Sequence, residues 1–115
     1  MDDFCLIAKA IGDPSRLRLL KMLEAGELCV CHLTARVGLA QSTVSKQLAL
    51  LRQAGLVTVR RQGLWAYYRL AEPAPGSAAA PFALLVRQSL NDDPAVMDDR
   101  QALTETCCPA VGEAV

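Results

Sequence analysis

Two cysteines separated by a single residue, Cys29 and Cys31, are the side chains in this sequence best suited to chemistry. Thiolates bind soft metal ions, and one intervening residue keeps two sulfurs close along the chain. Three further cysteines bring the total to five: Cys5 near the N-terminus and Cys107 and Cys108 near the C-terminus. An odd number of cysteines argues against a disulfide framework and favours thiol chemistry or metal binding.

A regular helix would hold the sulfurs of Cys29 and Cys31 apart. Residues 27–37 are predicted to be helical, and residues i and i+2 of a helix point about 200° apart. Two sulfurs on one ion lie within roughly 4.6 Å of each other, twice a metal–sulfur bond of about 2.3 Å. We therefore expect chelation only where the first turn is distorted or unwound. The alternative is that both cysteines are small buried hydrophobic residues, because free cysteine packs well.

The other candidate ligands leave more than one interpretation open. His32, the only histidine, is expected at a helix start as a solvated or capping side chain rather than a ligand. Cys107 and Cys108 either complete the thiolate set from the tail or form an incidental exposed pair. Cys5 either reaches the central thiols or is buried in an interface between subunits.

The charge of the chain is unevenly distributed, although 12 basic residues balance 12 acidic ones. Residues 28–71 contain no aspartate or glutamate but six basic residues. These six are Arg36, Lys46, Arg52, Arg60, Arg61 and Arg69. A positive block without acids offers phosphates a binding surface, so the predicted partner is a nucleic acid.

Two helices in this block are predicted to present a DNA-reading surface. A short helical segment ends at Gly38, and a longer helix covers 41–54. The exposed side of the longer helix carries small polar groups and one lysine, which suits close approach to base edges in the major groove. The candidate contacts on it are Gln41, Ser42, Thr43, Ser45 and Lys46.

Two β-rich runs after the longer helix predict a hairpin. They flank Gln62 and Gly63, a plausible two-residue turn that would pair Arg61 with Leu64. Its tip would project Arg60, Arg61 and Gln62 toward DNA, with no acid nearby to neutralise the arginines. Two helices joined by a tight turn and followed by a basic hairpin indicate a winged helix-turn-helix, mainly α with a small β wing.

The ends of the chain predict assembly and location. Helices over 3–11 and 78–90 are too apolar for a small monomer, which favours a homodimer in which they pack together. Residues 1–90 are expected to form one DNA-binding domain, and 91–115 an acidic tail, loosely ordered apart from a short helix around 95–104.

The N-terminus lacks the positive start of a signal peptide, and no apolar run approaches the ~20 residues of a membrane span. We expect a cytoplasmic protein without a membrane partner.

Three motifs, taken together and in this order, resemble the ArsR/SmtB family of metal-sensing bacterial repressors, and its arsenical-resistance branch most closely. They are ELCVCHL (27–33), QSTVSKQLALLRQAGLV (41–57) and RRQGLWAYYRL (60–70). The resemblance covers roughly residues 5–90. It implies a dimeric winged-helix repressor that needs no cofactor to bind double-stranded operator DNA. It also implies release of that DNA when arsenite or antimonite, As(III) or Sb(III), binds the thiolates.

The chain departs from the family pattern at two positions. Thr34 stands where arsenic-sensing members commonly have a third cysteine, and Gln47 where the family often has histidine. The metal ligands are therefore predicted to be Cys29 and Cys31 with Cys107 or Cys108, and Cys5 is the alternative third sulfur.

Three other functions would use the same cysteines. A cadmium or lead sensor and a thiol-redox sensor on the same scaffold remain alternatives. An enzyme, such as a thiol oxidoreductase or an arsenate reductase, is disfavoured. The Cys-X-Cys sequence does not follow a strand of a βαβ unit, and no phosphate-cradling loop or acid–base partner is visible.

Overall fold

The computed structural model describes residues 1–105, which form six helices and a three-stranded antiparallel sheet. In chain order the elements are α1 (Asp2–Ile11), α2 (Pro14–Leu23), β1 (Leu28–Cys29), α3 (Val30–Val37), α4 (Gln41–Gln53), β2 (Val57–Gln62), β3 (Trp65–Leu70), α5 (Ala79–Gln88) and α6 (Pro94–Glu105). The predicted winged helix-turn-helix is confirmed: α3 and α4 form the helix pair, and β2 and β3 form the wing. Within the described residues no helix has the length and apolar character needed to cross a bilayer.

Local sequence signals set the helix boundaries. The Asp13 carboxylate accepts a hydrogen bond from the Arg16 amide at 3.1 Å, and Pro14 occupies the first position of α2. Gly38 ends α3 with φ of 79°, a left-handed conformation that costs glycine little. The tight turn after Gly38 places α4 across α3.

One hydrophobic core holds the helix pair in place. Val44, Leu48 and Leu51 recur along one side of α4 and are fully buried, as their spacing predicts. They pack into a cluster with the leucines of α2 and with Leu33 of α3. The opposite side of α4 therefore faces solvent.

A short strand before α3 was not predicted. Residues 28–29 form β1 rather than helix, and they pair with the edge of β3 with Leu28 opposite Tyr68 and Cys29 opposite Tyr67. A two-residue strand has no periodicity of its own. It forms because the wing leaves β3 with a free edge whose backbone groups accept a partner.

The wing is a hairpin in a different register from the predicted one. Its two loop residues are Gly63 and Leu64, so Arg61 pairs with Ala66 rather than with Leu64. Gly63 has φ of 61°, which fits glycine in the first position of a two-residue turn. Each partner is displaced by two residues, so every side chain keeps its predicted face.

The C-terminal helix α6 confirms the short helix predicted around 95–104, and it is firmly packed against α2. Val96 and Asp99 are buried, and Asp99 accepts hydrogen bonds from Arg18 of α2 and Arg36 of α3. These arginines lie 81 and 63 residues away along the chain, so no local pattern could reveal the contact. Cys107 and Cys108 lie outside the described residues.

Candidate thiolate site and nucleic-acid interface

The structure places the two central cysteines in direct contact. Cys29 is the residue before the first turn of α3, with an extended backbone (φ −69°, ψ 147°). Its sulfur accepts a hydrogen bond from the Cys31 amide at 3.3 Å and another from the Cys31 thiol, with the two Sγ atoms 2.8 Å apart. The predicted helix over 27–37 is wrong at its start, because α3 begins only at Val30. Cys29 therefore lies outside regular helix, which is the condition that chelation by the pair requires. The pair satisfies the limit of roughly 4.6 Å as it stands.

The described residues supply two sulfurs to this site. Among residues 1–105 no group of three histidine, cysteine or acidic side chains could hold a metal ion. Cys5 lies exposed on α1. A third sulfur for a trivalent ion would have to come from Cys107 or Cys108, from Cys5, or from a small thiol.

His32 does not lie where the sequence suggested. It was expected to be solvated or capping, but only 6% of it is exposed, and its Nδ1 has no hydrogen-bond partner among the described residues. With β1 preceding the helix, α3 begins at Val30. His32 therefore falls inside the first turn, on a buried side, rather than at an exposed start.

The predicted DNA-reading surface of α4 faces outward. Gln41, Ser42, Ser45 and Lys46 are exposed and Thr43 is half-buried. None of the five acts as a core residue, because the buried stripe occupies the other side of the helix. The arrangement leaves hydroxyl, amide and ammonium groups free to reach base edges or phosphates.

Arg60 of the wing is not the unneutralised cation that the sequence suggested. Its guanidinium donates to both carboxylate oxygens of Glu27 at 2.9 and 3.3 Å and to Gln62 Oε1 at 2.8 Å. It also lies over the ring of Tyr67, 4.7 Å from its centroid. The bond to Glu27 raises the pKa of Arg60 above its ordinary value. The expectation failed because Glu27, the last acid before the block, directly precedes β1, and the pairing of β1 with β3 brings it against the wing.

The other cations of the block divide into those held by the protein and those that are not. Arg36 pairs with Asp98 and Asp99 of α6, and Arg69 donates to Thr58. Within the described part of the chain, Lys46, Arg52 and Arg61 take part in no ion pair. Arg52 was not among the predicted contacts, since only its place in the acid-free block pointed to it.

Comparison with known proteins connects this arrangement with a class of regulators. The family profile described as "Bacterial regulatory protein, arsR family" matches residues 13–59. The arsenic resistance transcriptional regulator ArsR1 of Pseudomonas putida is 44% identical over 71 residues, 61% of this chain and 56% of that protein. The chain thus spans just over half the length of this relative.

Solved structures extend the likeness over most of the chain. The transcriptional repressor BigR from Xylella fastidiosa superposes with a TM-score of 0.63 at 33% identity, covering 80% of this chain and 87% of that one. The homodimeric winged helix-turn-helix DNA-binding domain Mb0332 from Mycobacterium bovis, a possible ArsR-family transcriptional regulator, gives a TM-score of 0.63 at 32% identity, covering 79% and 81%. These relatives are regulators of transcription rather than enzymes.

Proposed function

Since this chain belongs to the ArsR family of bacterial regulatory proteins, we propose that it is a dimeric transcriptional repressor that releases operator DNA when As(III) or Sb(III) binds Cys29 and Cys31. The observation that carries the proposal is the contact between the two sulfurs, 2.8 Å apart, at the junction of β1 and α3. This junction touches both parts of the DNA-binding motif. Strand β1 pairs with the wing, and α3 packs against α4.

The DNA-binding half of the proposal rests on α4 and the wing. In a dimer, α4 of each subunit would enter successive major grooves, with Gln41, Ser42, Thr43, Ser45 and Lys46 as its contacts. Arg61 and Gln62 of the wing would meet the adjacent backbone. Of the predicted contacts, Arg60 should contribute less to DNA binding, because its charge is already compensated by the ion pair with Glu27.

The inducer half rests on the chemistry of the donor set. Two thiols already within chelating distance suit a soft trivalent ion, and the hard ions Mg²⁺ and Ca²⁺ prefer oxygen. Both sulfurs bind as thiolates, so both thiol protons are given up, and with arsenite they leave as water with two of its hydroxyl groups. We assign the third sulfur to Cys107 or Cys108, with Cys5 as the alternative.

Ligation acts on DNA binding through the elements that Cys29 joins. Its sulfur accepts the Cys31 amide proton at the start of α3, and its backbone pairs with Tyr67 in β3. An ion bound to both sulfurs imposes its own coordination geometry on them. The Cys29 sulfur then no longer accepts the Cys31 amide proton, and the junction between β1 and α3 shifts. The change reaches α4 through α3 and reaches the wing through β3.

An arsenite titration of the purified protein on fluorescent operator DNA tests the proposal, with Cys29→Ser, Cys31→Ser and Cys5→Ser compared with the wild type. We expect the wild type and Cys5→Ser to release DNA as the ultraviolet absorption of arsenic bound to thiolates grows. Cys29→Ser and Cys31→Ser should bind operator normally and ignore arsenite. A normal response from Cys29→Ser, or no preference of the wild type for operator over random duplex, would refute the proposal. Repeating the titration with cadmium and lead ranks the ions by the concentration that releases DNA.

The same sulfur contact supports a second candidate, a repressor that senses oxidants. Hydrogen peroxide could oxidise the Cys29 and Cys31 thiols to a disulfide; the sulfurs lose two electrons and two protons, and the peroxide becomes two waters. Release of DNA by peroxide but not by arsenite, reversed by a thiol reductant, would favour this candidate over the metalloid sensor.

A further inference from the structure

A groove between α4 and the wing is lined by two arginines that no acid occupies. It has a volume of about 270 Å³, and Arg52 of α4 and Arg61 of β2 both line it. Both arginines are exposed, and neither pairs with an acid within residues 1–105. The neighbouring arginines Arg36 and Arg60, in contrast, are held by Asp99 and Glu27. The fold therefore leaves uncompensated positive charge in this groove between helix and wing.

The rest of the groove lining suits an anion that arrives from solution. None of its residues is acidic, and Gln41 and Ser45 of α4 add an amide and a hydroxyl. Ala66 and Tyr68 of β3 form part of the opposite wall. Guanidinium groups bind phosphate oxygens with paired N–H donors, which lysine cannot do with the same geometry. The chemistry that fits is a phosphodiester flanked by two arginines.

We propose that one phosphate of the DNA backbone lies in this groove in each subunit, bound by Arg52 and Arg61 together. The proposal rests on the proposed function as a DNA-binding repressor and adds Arg52 to the residues that carry it. The groove opens on the exposed side of α4 and beside the wing tip, so a backbone running between helix and wing passes over it. The phosphate fixes the wing relative to α4 without reading sequence.

The groove also borders the segment that carries the two central cysteines. Val30, the residue between Cys29 and Cys31, lines it. A shift of the two sulfurs on binding an ion carries Val30 with it and alters the space between Arg52 and Arg61. The shared phosphate is thus a contact that the inducer weakens directly.

Salt dependence of DNA binding measures the contact. Operator affinity of the wild type, Arg52→Ala, Arg61→Ala and the double variant is determined over a range of salt, with Arg69→Ala as the control. Arg69 carries the same charge on the same hairpin but does not line the groove. Circular dichroism melts establish that each variant is folded.

The salt dependence of affinity distinguishes one phosphate shared by Arg52 and Arg61 from a separate phosphate on each arginine. Each neutralised phosphate contributes about 0.9 to the slope of log affinity against log salt. We expect the double variant to lose about 1.8 per dimer, and each single variant less, with operator and random duplex weakened alike. A loss of about 3.6 would mean separate phosphates and would overturn the shared site. An Arg52→Ala variant that binds operator as tightly as the wild type at every salt concentration, or an Arg69→Ala control that loses as much slope as the double variant, would overturn it as well.

A second measurement tests the link to the thiols, as the ratio of operator affinity without and with arsenite. We expect this ratio to be smaller in the double variant than in the wild type, because one of the contacts that arsenite weakens is already gone. An unchanged ratio would refute the link. A wild type that binds operator but ignores arsenite would refute the proposed inducer instead, and the slope test of the groove would remain valid.

Discussion

The carboxylate of Glu27 holds the guanidinium of Arg60, with Oε1 2.9 Å from Nη2 and Oε2 3.3 Å from Nε. Glu27 directly precedes β1, and Cys29 ends that strand. In the sheet, Cys29 lies opposite Tyr67, and Tyr67 lies opposite Arg60. The strand that carries the thiol site is therefore attached to the wing by backbone pairing and by an ion pair. Any displacement of Cys29 acts on the wing as well as on α3.

Glu27→Gln should strengthen DNA binding by the metal-free protein. The change removes a negative charge beside the wing and frees the charge of Arg60 for a phosphate. We expect a steeper salt dependence, by about 0.9 per additional phosphate. The measurement is operator affinity at several salt concentrations, with Glu72→Gln, beyond the wing, as the control. Identical slopes for wild type and Glu27→Gln would show that Arg60 does not reach DNA even when released.

Asp99→Asn should loosen α6 and lower the free energy of unfolding. The buried carboxylate accepts from Arg18 at 2.8 Å and from Arg36 at 2.7 Å, and an amide cannot serve both arginines as a charged acceptor. We expect the free energy of unfolding to fall by about 1–3 kcal/mol at neutral pH. The loss is moderate because each arginine is about a third exposed, so that solvent screens both ion pairs. Urea unfolding measures it. Asp98→Asn is the matched control, since Asp98 is 75% exposed and should cost little.

The pH dependence of stability provides an independent check on Asp99. Burial alone would raise the pKa of its carboxyl group, but the hydrogen bonds and charges of Arg18 and Arg36 outweigh burial and hold the pKa below its ordinary value. A carboxyl group with a lowered folded-state pKa stabilises fully above its unfolded pKa of about 3.9 and loses that contribution as pH falls through the folded value. The gap in unfolding free energy between wild type and Asp99→Asn should therefore close in strong acid. A constant gap from pH 7 to pH 2 would contradict the ion-pair account.

Elements defined by local sequence could be predicted, and those made by distant partners could not. Asp13 and Pro14 start α2 by capping chemistry alone, and the buried stripe of α4 follows from helical spacing. Strand β1 exists only because β3 offers an edge, so its two residues looked like the start of a helix. The same strand brings Cys29 out of α3. That single error explains why the thiol contact and the Glu27 pairing were both missed.

Leu85→Glu should convert the protein to a monomer. Phe4 of α1 packs edge-on against Phe82 of α5 with ring centroids 4.9 Å apart, yet Phe4 and Leu85 remain 59% and 55% exposed. In a dimer formed by these helices, a glutamate at 85 would be buried without a partner, at a cost of several kcal/mol. Sedimentation velocity distinguishes the states. Met97→Glu, at a 54% exposed apolar position on α6, should stay dimeric, and a dimeric Leu85→Glu would exclude this interface.

Cys29→Ser and Cys29→Ala should distinguish the role of Cys29 as an ion ligand from its role in capping α3. The Cys29 sulfur caps α3 by accepting the Cys31 amide proton, and serine is among the strongest residues at this position. We expect Cys29→Ser to keep its stability and Cys29→Ala to lose about 1 kcal/mol. Both should lose the arsenite response while retaining operator affinity. Thermal melts and the arsenite titration together check this, and a serine variant that unfolds would show that the thiol matters for packing instead.

Replacing Cys107 and Cys108 together by serine should weaken the arsenite response without abolishing it. Cys29 and Cys31 supply two sulfurs, and a trivalent arsenic ion has room for one more. Thr34 takes the place where the family commonly has a local third cysteine, so the tail is the predicted source. Without the tail thiols, two protein sulfurs and a small thiol or hydroxide can still hold the ion, at lower affinity. The arsenite concentration that releases half of the DNA should rise in the double variant and stay constant in Cys5→Ser. If Cys5→Ser raises it and the double variant does not, the third ligand comes from α1.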